Sequence, residues 1–385
     1  MSTGTNVDRR PRPGAALPDF PWDVLEPYAV AAAAHPDGIV DLSVGTPVDP
    51  TPAVVQSALV AAADAPGYPR TQGTAALRNA ASEWLTRRLS VSVTAADVLP
   101  LIGTKEFVAA LPSLLGLGPG DEVLLPELAY PTYDVGARLA GAVPVPADDL
   151  PGDIDPARNP DGSADGTRVR LVWLNSPSNP TGRVLPVEHM RKVVEWAREH
   201  RAVVASDECY IELGWDAEPV SVLHPDVSDG STEGLLAVHS LSKRSNLAGY
   251  RAGFVAGDPQ LIGEFLEVRK HTGLMVPAPV QAAMTAALAD DEHVLEQRAV
   301  YSARRAALRT AIEAAGFTVV CSEAGLYLWA TRGQPCWETV ADLAEIGILV
   351  APGDFYGAAG AEWVRIAITA TDERVAAAVA RLATW

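Results

Sequence analysis

A lysine amine can lose its proton and attack a carbonyl, which a guanidinium cannot do. This 385-residue chain carries only four lysines against 26 arginines, so each lysine is a candidate for that chemistry. Lys192 falls on the amphipathic pattern 'VEHMRKVVEWAREH' and reads as a solvated charge, and Lys270, in 'EVRKHTG', reads as a charged helix end. Lys105 follows a Gly-Thr turn in 'GTKE', where it supports a helix start. Lys243 stands apart. It closes the apolar run 'LLAVHSL', follows Ser240 and Ser242, and has Arg251 eight residues downstream between Gly249 and Gly253.

Other apolar runs also end on polar groups. After 'VLPLI' come Gly103 and Thr104, whose free backbone amides suit a phosphate, although a capped helix start looks the same. After 'VLLPE' comes Tyr130, a flat face for stacking or an ordinary core tyrosine. After 'LVWLN', Asn179, Pro180 and Gly182 form a tight turn. After 'AVVAS', Asp207 and Tyr210 sit at a run's end, where an acid caps a helix or holds a cationic ring nitrogen. Together these parts meet the needs of pyridoxal phosphate: an amine for its aldehyde, an anion beside the pyridine nitrogen, a hydroxyl and an amide near the ring oxygen, and donors for the phosphate.

Such residues must be held by strands. Apolar runs of strand length alternate with helical patterns from 'PAVVQSALVAAADA' to 'AGFVAGD', which predicts an α/β fold with a largely parallel sheet buried on both faces. In open sheets of this kind the ligand crevice lies at the carboxyl ends of the strands. The first forty or so residues read as an extended arm and a short helix, and 'ADDLPGDIDPARNPDGSADGTR' reads as a surface loop. Helices dominate from about Asp258 to Ala315, and the tail reads as a small α+β unit. The expected division is an N-terminal arm over 1–45, a large domain over 46–280 and a small C-terminal domain over 281–385.

Composition narrows the partners. A formal net charge of −18 argues against nucleic acid and anionic membrane surfaces. Cys209, Cys321 and Cys336 are odd in number and lack metal-ligand spacing, so neither a disulfide framework nor a metal site is expected. No leader-like apolar segment follows the N-terminal arginines, and no run reaches the ~18 apolar residues of a membrane span. A soluble, cytoplasmic protein is expected.

From about Ile39 onward the chain resembles the class I/II aminotransferases of the fold-type-I pyridoxal-phosphate enzymes. The likeness is carried by Ser240, Ser242, Lys243, Gly249, Arg251 and Gly253 in 'SLSKRSNLAGYRAG'. It implies a large domain with a mostly parallel central sheet, a small α+β C-terminal domain, and a homodimer with shared active sites. It makes Lys243 the catalytic lysine that bonds the cofactor and moves the substrate proton. Asp207 then pairs with the pyridine nitrogen, and Asn179 and Tyr210 hydrogen-bond the ring oxygen. Tyr130 stacks on the ring, while Gly103, Thr104, Ser240 and Arg251 bind the phosphate with Lys105 and Ser242 beside them. The resemblance further places Tyr68 on the phosphate of the partner's site, Arg365 on the substrate α-carboxylate, and Gly45 and Asn179 over the substrate.

Within the family, stretches such as 'HPDGIVDLSVGTPVDPTP' and 'ILVAPGDFYG' look like the actinobacterial N-succinyldiaminopimelate aminotransferases of lysine and diaminopimelate biosynthesis. Amino transfer between glutamate and N-succinyl-2-amino-6-oxopimelate is the activity this implies. That substrate carries three carboxylates, so cations besides Arg365 are expected in the pocket, with Arg70, Arg183, Arg244 and the Arg269, Lys270, His271 group as candidates. Other aminotransferases (aspartate, alanine, aromatic or N-acetylornithine type) or a β-lyase would share every cofactor residue. A regulator carrying a winged helix ahead of such a domain is disfavoured, because about forty residues precede the likeness.

Overall fold

The computed structural model describes residues 17–148 and 168–385. The chain runs through α1 (Pro21–Val24), α2 (Glu26–Ala33), β1 (Val40–Asp41), α3 (Ala53–Ala61), α4 (Ala75–Leu89), β2 (Val98–Ile102), α5 (Thr104–Leu114), β3 (Glu122–Leu125), α6 (Thr132–Ala140) and β4 (Val143–Pro146). It continues with β5 (Val169–Asn175), α7 (Val187–His200), β6 (Val203–Asp207), α8 (Pro225–Ser228), β7 (Leu235–Ser240), α9 (Leu241–Arg244) and β8 (Ala252–Gly257). Helices α10 (Pro259–Thr272), α11 (Ala278–Ala289) and α12 (Glu292–Ala314) follow. The tail holds β9 (Thr318–Val320), β10 (Tyr327–Thr331), α13 (Cys336–Glu345), β11 (Ile348–Leu349), β12 (Ala351–Pro352), β13 (Val364–Ala367) and α14 (Asp372–Leu382). Most of the segment read as a surface loop, and the start of the N-terminal arm, lie outside the described residues.

The six apolar runs quoted above become strands of one sheet, which β4 completes at its edge, in the order β2-β8-β7-β6-β5-β3-β4. Every pair is parallel except those made by β8, which runs antiparallel to β7 and β2. The reason is length: only eleven residues join β7 to β8, at the lower limit for a parallel crossover. All six residues of β7 and all six of β8 are buried, and each large apolar side chain among them contributes about 1.5–3 kcal/mol by leaving water. Helices cover both faces. In α7, Met190, Val193, Val194 and Ala197 recur at helical spacing and are buried, while Lys192 on the opposite face is exposed, as its pattern predicts.

A second sheet, β12-β13-β10-β9, is antiparallel and packs with α12, α13 and α14 around its own core. The strand pair β1 and β11 ties the N-terminal segment to this unit, and Leu25, Ala32, Val40 and Leu42 join its core. The expected division at 280/281 falls inside α11. Met284, Ala287 and Leu288 of that helix belong to the core of the large sheet, which favours a division near Asp290. Among the described residues no helix is long and apolar enough to cross a membrane.

Candidate active site

The carboxyl ends of β2, β5, β6 and β7 converge on a cavity of about 480 Å³ between the two sheets. Four cationic side chains, Lys105, Lys243, Arg251 and Arg365, line it against one carboxylate, Asp207. Such a lining favours anionic ligands.

One end is built for an oxyanion. β2 runs into Gly103, which sits at φ 70° and caps α5, so the free amides of the first turn from Thr104 face outward. A Cβ at Gly103 would run into the guanidinium of Arg251, so glycine is required there both by backbone conformation and by space. Ser240, the last residue of β7, caps α9 by accepting a 3.1 Å hydrogen bond from the amide of Ser242. Both serines line the cavity beside Arg251. This cradle of helix amides, hydroxyls and a guanidinium fits a phosphate.

Asp207, at the end of β6, is buried. Its Oδ2 accepts a 2.9 Å bond from the Tyr133 hydroxyl and its Oδ1 a 3.2 Å bond from the Cys209 amide. Burial pushes its carboxyl above the usual range, while the bonds from Cys209 and Tyr133 and the charge of Lys243 pull it back. No cation makes a salt bridge with it among the described residues, so the carboxylate is open to a cationic partner from a ligand. Asn175, closing β5, joins two walls: its Nδ2 donates to the Asp207 carbonyl at 2.9 Å and its Oδ1 accepts from the Asn179 amide at 2.8 Å.

Arg365 of β13 crosses from the small sheet. It is 3 % exposed, donates through Nη1 to Asn179 Oδ1 at 2.8 Å and through Nη2 to the Ser43 carbonyl at 2.6 Å, and among the described residues leaves Nε without a partner. Its guanidinium lies 4.0 Å from the Tyr327 ring centroid and 5.0 Å from that of Tyr356. A buried guanidinium held among rings and neutral oxygens calls for an anion. Lys243 projects from α9 and its Nζ donates to the Gly45 carbonyl. Tyr130 lines the same cavity, and Tyr210 places its hydroxyl 3.0 Å from that of Tyr327.

The cavity thus gathers Gly45, Thr104, Lys105, Tyr130, Asn179, Asp207, Tyr210, Ser240, Ser242, Lys243, Arg251 and Arg365, with Gly103 immediately behind Arg251. Tyr68 is not among them: its ring is 96 % exposed. The further cations expected for extra carboxylates are also elsewhere. Arg244 turns away to pair with Glu212 at 2.5 Å, because next to Lys243 on a helical turn it faces the opposite side. Arg269 is buried against Glu106 at 2.8 Å, Lys270 pairs with Glu267 at 2.5 Å, and Arg70, Arg183 and His271 are exposed outside the cavity. Tyr133, Asn175, Cys209 and Tyr327 were not legible as site residues. Tyr133 lies on helix α6, Asn175 ends β5 just ahead of the turn that holds Asn179, and Tyr327 lies in a strand of the small unit far along the chain.

The sequence matches the model of aminotransferase class I and II over residues 37–382. The chain belongs to that family, and its cofactor is pyridoxal 5'-phosphate, which the cradle, the buried acid and the lysine fit. A 4-dedimethylamino-4-oxo-anhydrotetracycline transaminase, OxyQ of Streptomyces rimosus, is 62% identical to it over 95% of this chain and 99% of its own length. A probable aminotransferase of Mycobacterium tuberculosis is 63% identical over 96% of this chain and 86% of its own. Neither bears the N-succinyldiaminopimelate name suggested by the wording of the motifs. Among solved structures, a probable N-succinyldiaminopimelate aminotransferase of Thermus thermophilus superposes with a TM-score of 0.83 at 28% identity, covering 94% of this chain and 99% of that one.

Proposed function

We propose that this aminotransferase moves an amino group between glutamate and N-succinyl-2-amino-6-oxopimelate, with Lys243 as its catalytic residue. The carrying observation is that, with Arg251 given to the phosphate, Lys243 to the cofactor and Arg365 to the α-carboxylate, Lys105 remains in the cavity as a cation for a second carboxylate. The resemblance of the motifs and the Thermus thermophilus neighbour support the same reading.

Bound pyridoxal phosphate supplies the sink for the electrons left behind when the substrate's α-proton departs. The chain's own residues do the rest. Arg365 binds the α-carboxylate through the Nε that lacks a partner, held in place by Asn179 and Ser43. Lys243 takes the α-proton on Nζ and returns it, with the Gly45 carbonyl fixing where the amine points. Asp207 keeps a proton on the ring nitrogen, supported by Tyr133. Asn179, whose oxygen is engaged by Arg365, has its amide nitrogen left for the ring oxygen beside Tyr210. Lys105, which makes no ion pair among the described residues, is the cation available for a distal carboxylate; burial and the charge of Arg251 lower its pKa. Tyr68, nearly wholly exposed in one copy, reaches the phosphate of a second copy in a two-fold dimer.

A second reading rests on two aromatic rings. Phe20 and Trp22 line the cavity, their ring centroids 5.7 Å apart, and would flank a flat polycyclic oxo substrate of the kind in the name of the Streptomyces rimosus relative. Steady-state transamination separates the two. N-succinyl-LL-2,6-diaminopimelate with 2-oxoglutarate, run beside aspartate, alanine, phenylalanine, N-acetylornithine and an amino-anhydrotetracycline, is expected to give the highest kcat/KM. Preference for any other donor contradicts the proposal, and preference for the polycyclic amine establishes the second reading.

A further inference from the structure

Tyr327 has no part in the chemistry above, yet its hydroxyl stands inside the cavity. It comes from β10, the strand paired with the one that carries Arg365. Two neighbours are shaped around it. A Cβ at Gly45 would overlap the Tyr327 ring and hydroxyl, so the glycine whose carbonyl holds Lys243 is also the one that makes room for this phenol. On the other side, the Arg365 guanidinium lies 4.0 Å from the ring centroid. Among the described residues the hydroxyl has one hydrogen-bond partner, Tyr210 Oη at 3.0 Å, and both tyrosines are buried.

A phenol carries a single O–H. If Tyr210 gives its own to the ring oxygen, as proposed above, its oxygen is left to accept from the Tyr327 hydroxyl 3.0 Å away.

We propose that Tyr327 is a positioning residue of this active site: its hydroxyl donates to Tyr210 Oη and so aims the Tyr210 O–H at the ring oxygen of the bound cofactor. This rests on the proposed contact of Tyr210 with that oxygen. A donor at that oxygen stabilises its anionic form, so the lysine-bound cofactor releases its proton at a lower pH. Removing the Tyr327 hydroxyl weakens that donor without touching the cofactor.

The experiment is a titration of visible absorbance against pH for the cofactor-loaded wild type, Tyr327→Phe, Tyr210→Phe and the double variant, with melting temperatures to confirm that all are folded. Tyr327→Phe is expected to raise the midpoint by roughly half to one pH unit, the size of one hydrogen bond. Tyr210→Phe should raise it further, and the double variant should match Tyr210→Phe alone, because the second substitution has nothing left to act through. An unmoved Tyr327→Phe midpoint beside a shifted Tyr210→Phe overturns the proposal and leaves the Tyr210 contact intact. A double variant shifted beyond Tyr210→Phe overturns it as well, since Tyr327 would then act independently. An unmoved Tyr210→Phe midpoint overturns both the Tyr210 contact and the proposal built on it.

Discussion

Asn179 Oδ1 accepts a 2.8 Å hydrogen bond from Arg365 Nη1 across 186 residues of chain. One amide thereby links the turn after β5 to β13 of the small sheet. With the roles proposed for Asn179 and Arg365, this contact would couple the position of the cofactor to that of the substrate. Arg365→Lys loses the planar donor pair, so KM for the amino acid should rise about a hundredfold, with the absorbance of the loaded protein unchanged. Asn179→Ala should both raise KM, by about tenfold, and change the absorbance. A steady-state series with parallel spectra checks both, and an Asn179→Ala variant with a wild-type spectrum contradicts the coupling.

Asp207 draws its position from Tyr133, 2.9 Å away. Asp207→Asn removes the charge that keeps the ring nitrogen protonated, and kcat should fall on the order of a hundredfold or more. Tyr133→Phe removes one donor and leaves the charge, so a loss of roughly fivefold is expected. Equal losses for the two variants would show that Tyr133 does more than orient the acid.

Gly103 sits at φ 70° with Arg251 where its Cβ would be. Gly103→Ala should weaken cofactor binding by about tenfold or more, read as the dissociation constant of pyridoxal phosphate in equilibrium dialysis. Unchanged affinity would mean that the cradle lies elsewhere.

Behind the site, Glu208 and His239 face each other at 3.6 Å, beyond hydrogen-bond reach, and both are buried. Burial pushes the Glu208 carboxyl up to about 7 from 4.5 and holds the His239 imidazole down to about 3 from 6.5. Between about pH 4.5 and 7 the folded Glu208 binds more protons than the unfolded one, so its contribution falls as pH rises. His239 acts in the opposite sense: between about pH 3 and 6.5 the unfolded state binds more protons, and stability falls as pH drops. The two nearly cancel from about pH 4.5 to 6.5. Glu208→Gln keeps the acceptor for the Val222 amide, 2.7 Å away, and removes the titration. Its unfolding free energy relative to wild type should therefore grow by about 3 kcal/mol between pH 5 and pH 8, measured by denaturant melts of the loaded protein. A difference independent of pH would contradict this assignment.

The strand ends were legible because a polar residue closing an apolar run has no structural need to be there. Asp207 and Lys243 stand out on that ground, and the spacing of Lys243 from Ser240, Ser242, Gly249, Arg251 and Gly253 carries the family likeness. The antiparallel β8 was not legible, because an apolar run looks the same in either direction and only the short link from β7 decides it. Asn175 closes β5 but is overshadowed by the turn that follows it, and Tyr133 on α6 reads as an ordinary helix residue. Tyr327 was hidden further, in the run 'GLYLW' of the small unit, since only the docking of that unit on the large sheet brings it to Tyr210. Arg244 misled because adjacency to Lys243 in sequence puts the two side chains on different faces of α9, and Glu212 claims it.

The central claim is that Lys243 bonds the cofactor. Reducing the loaded protein with borohydride fixes the bond, and peptide mapping by mass spectrometry then identifies which of the four lysines carries the pyridoxyl group. The label is expected on Lys243 alone and absent from the Lys243→Ala variant. A label on Lys105, Lys192 or Lys270 in the wild type, or none at all, would contradict the account.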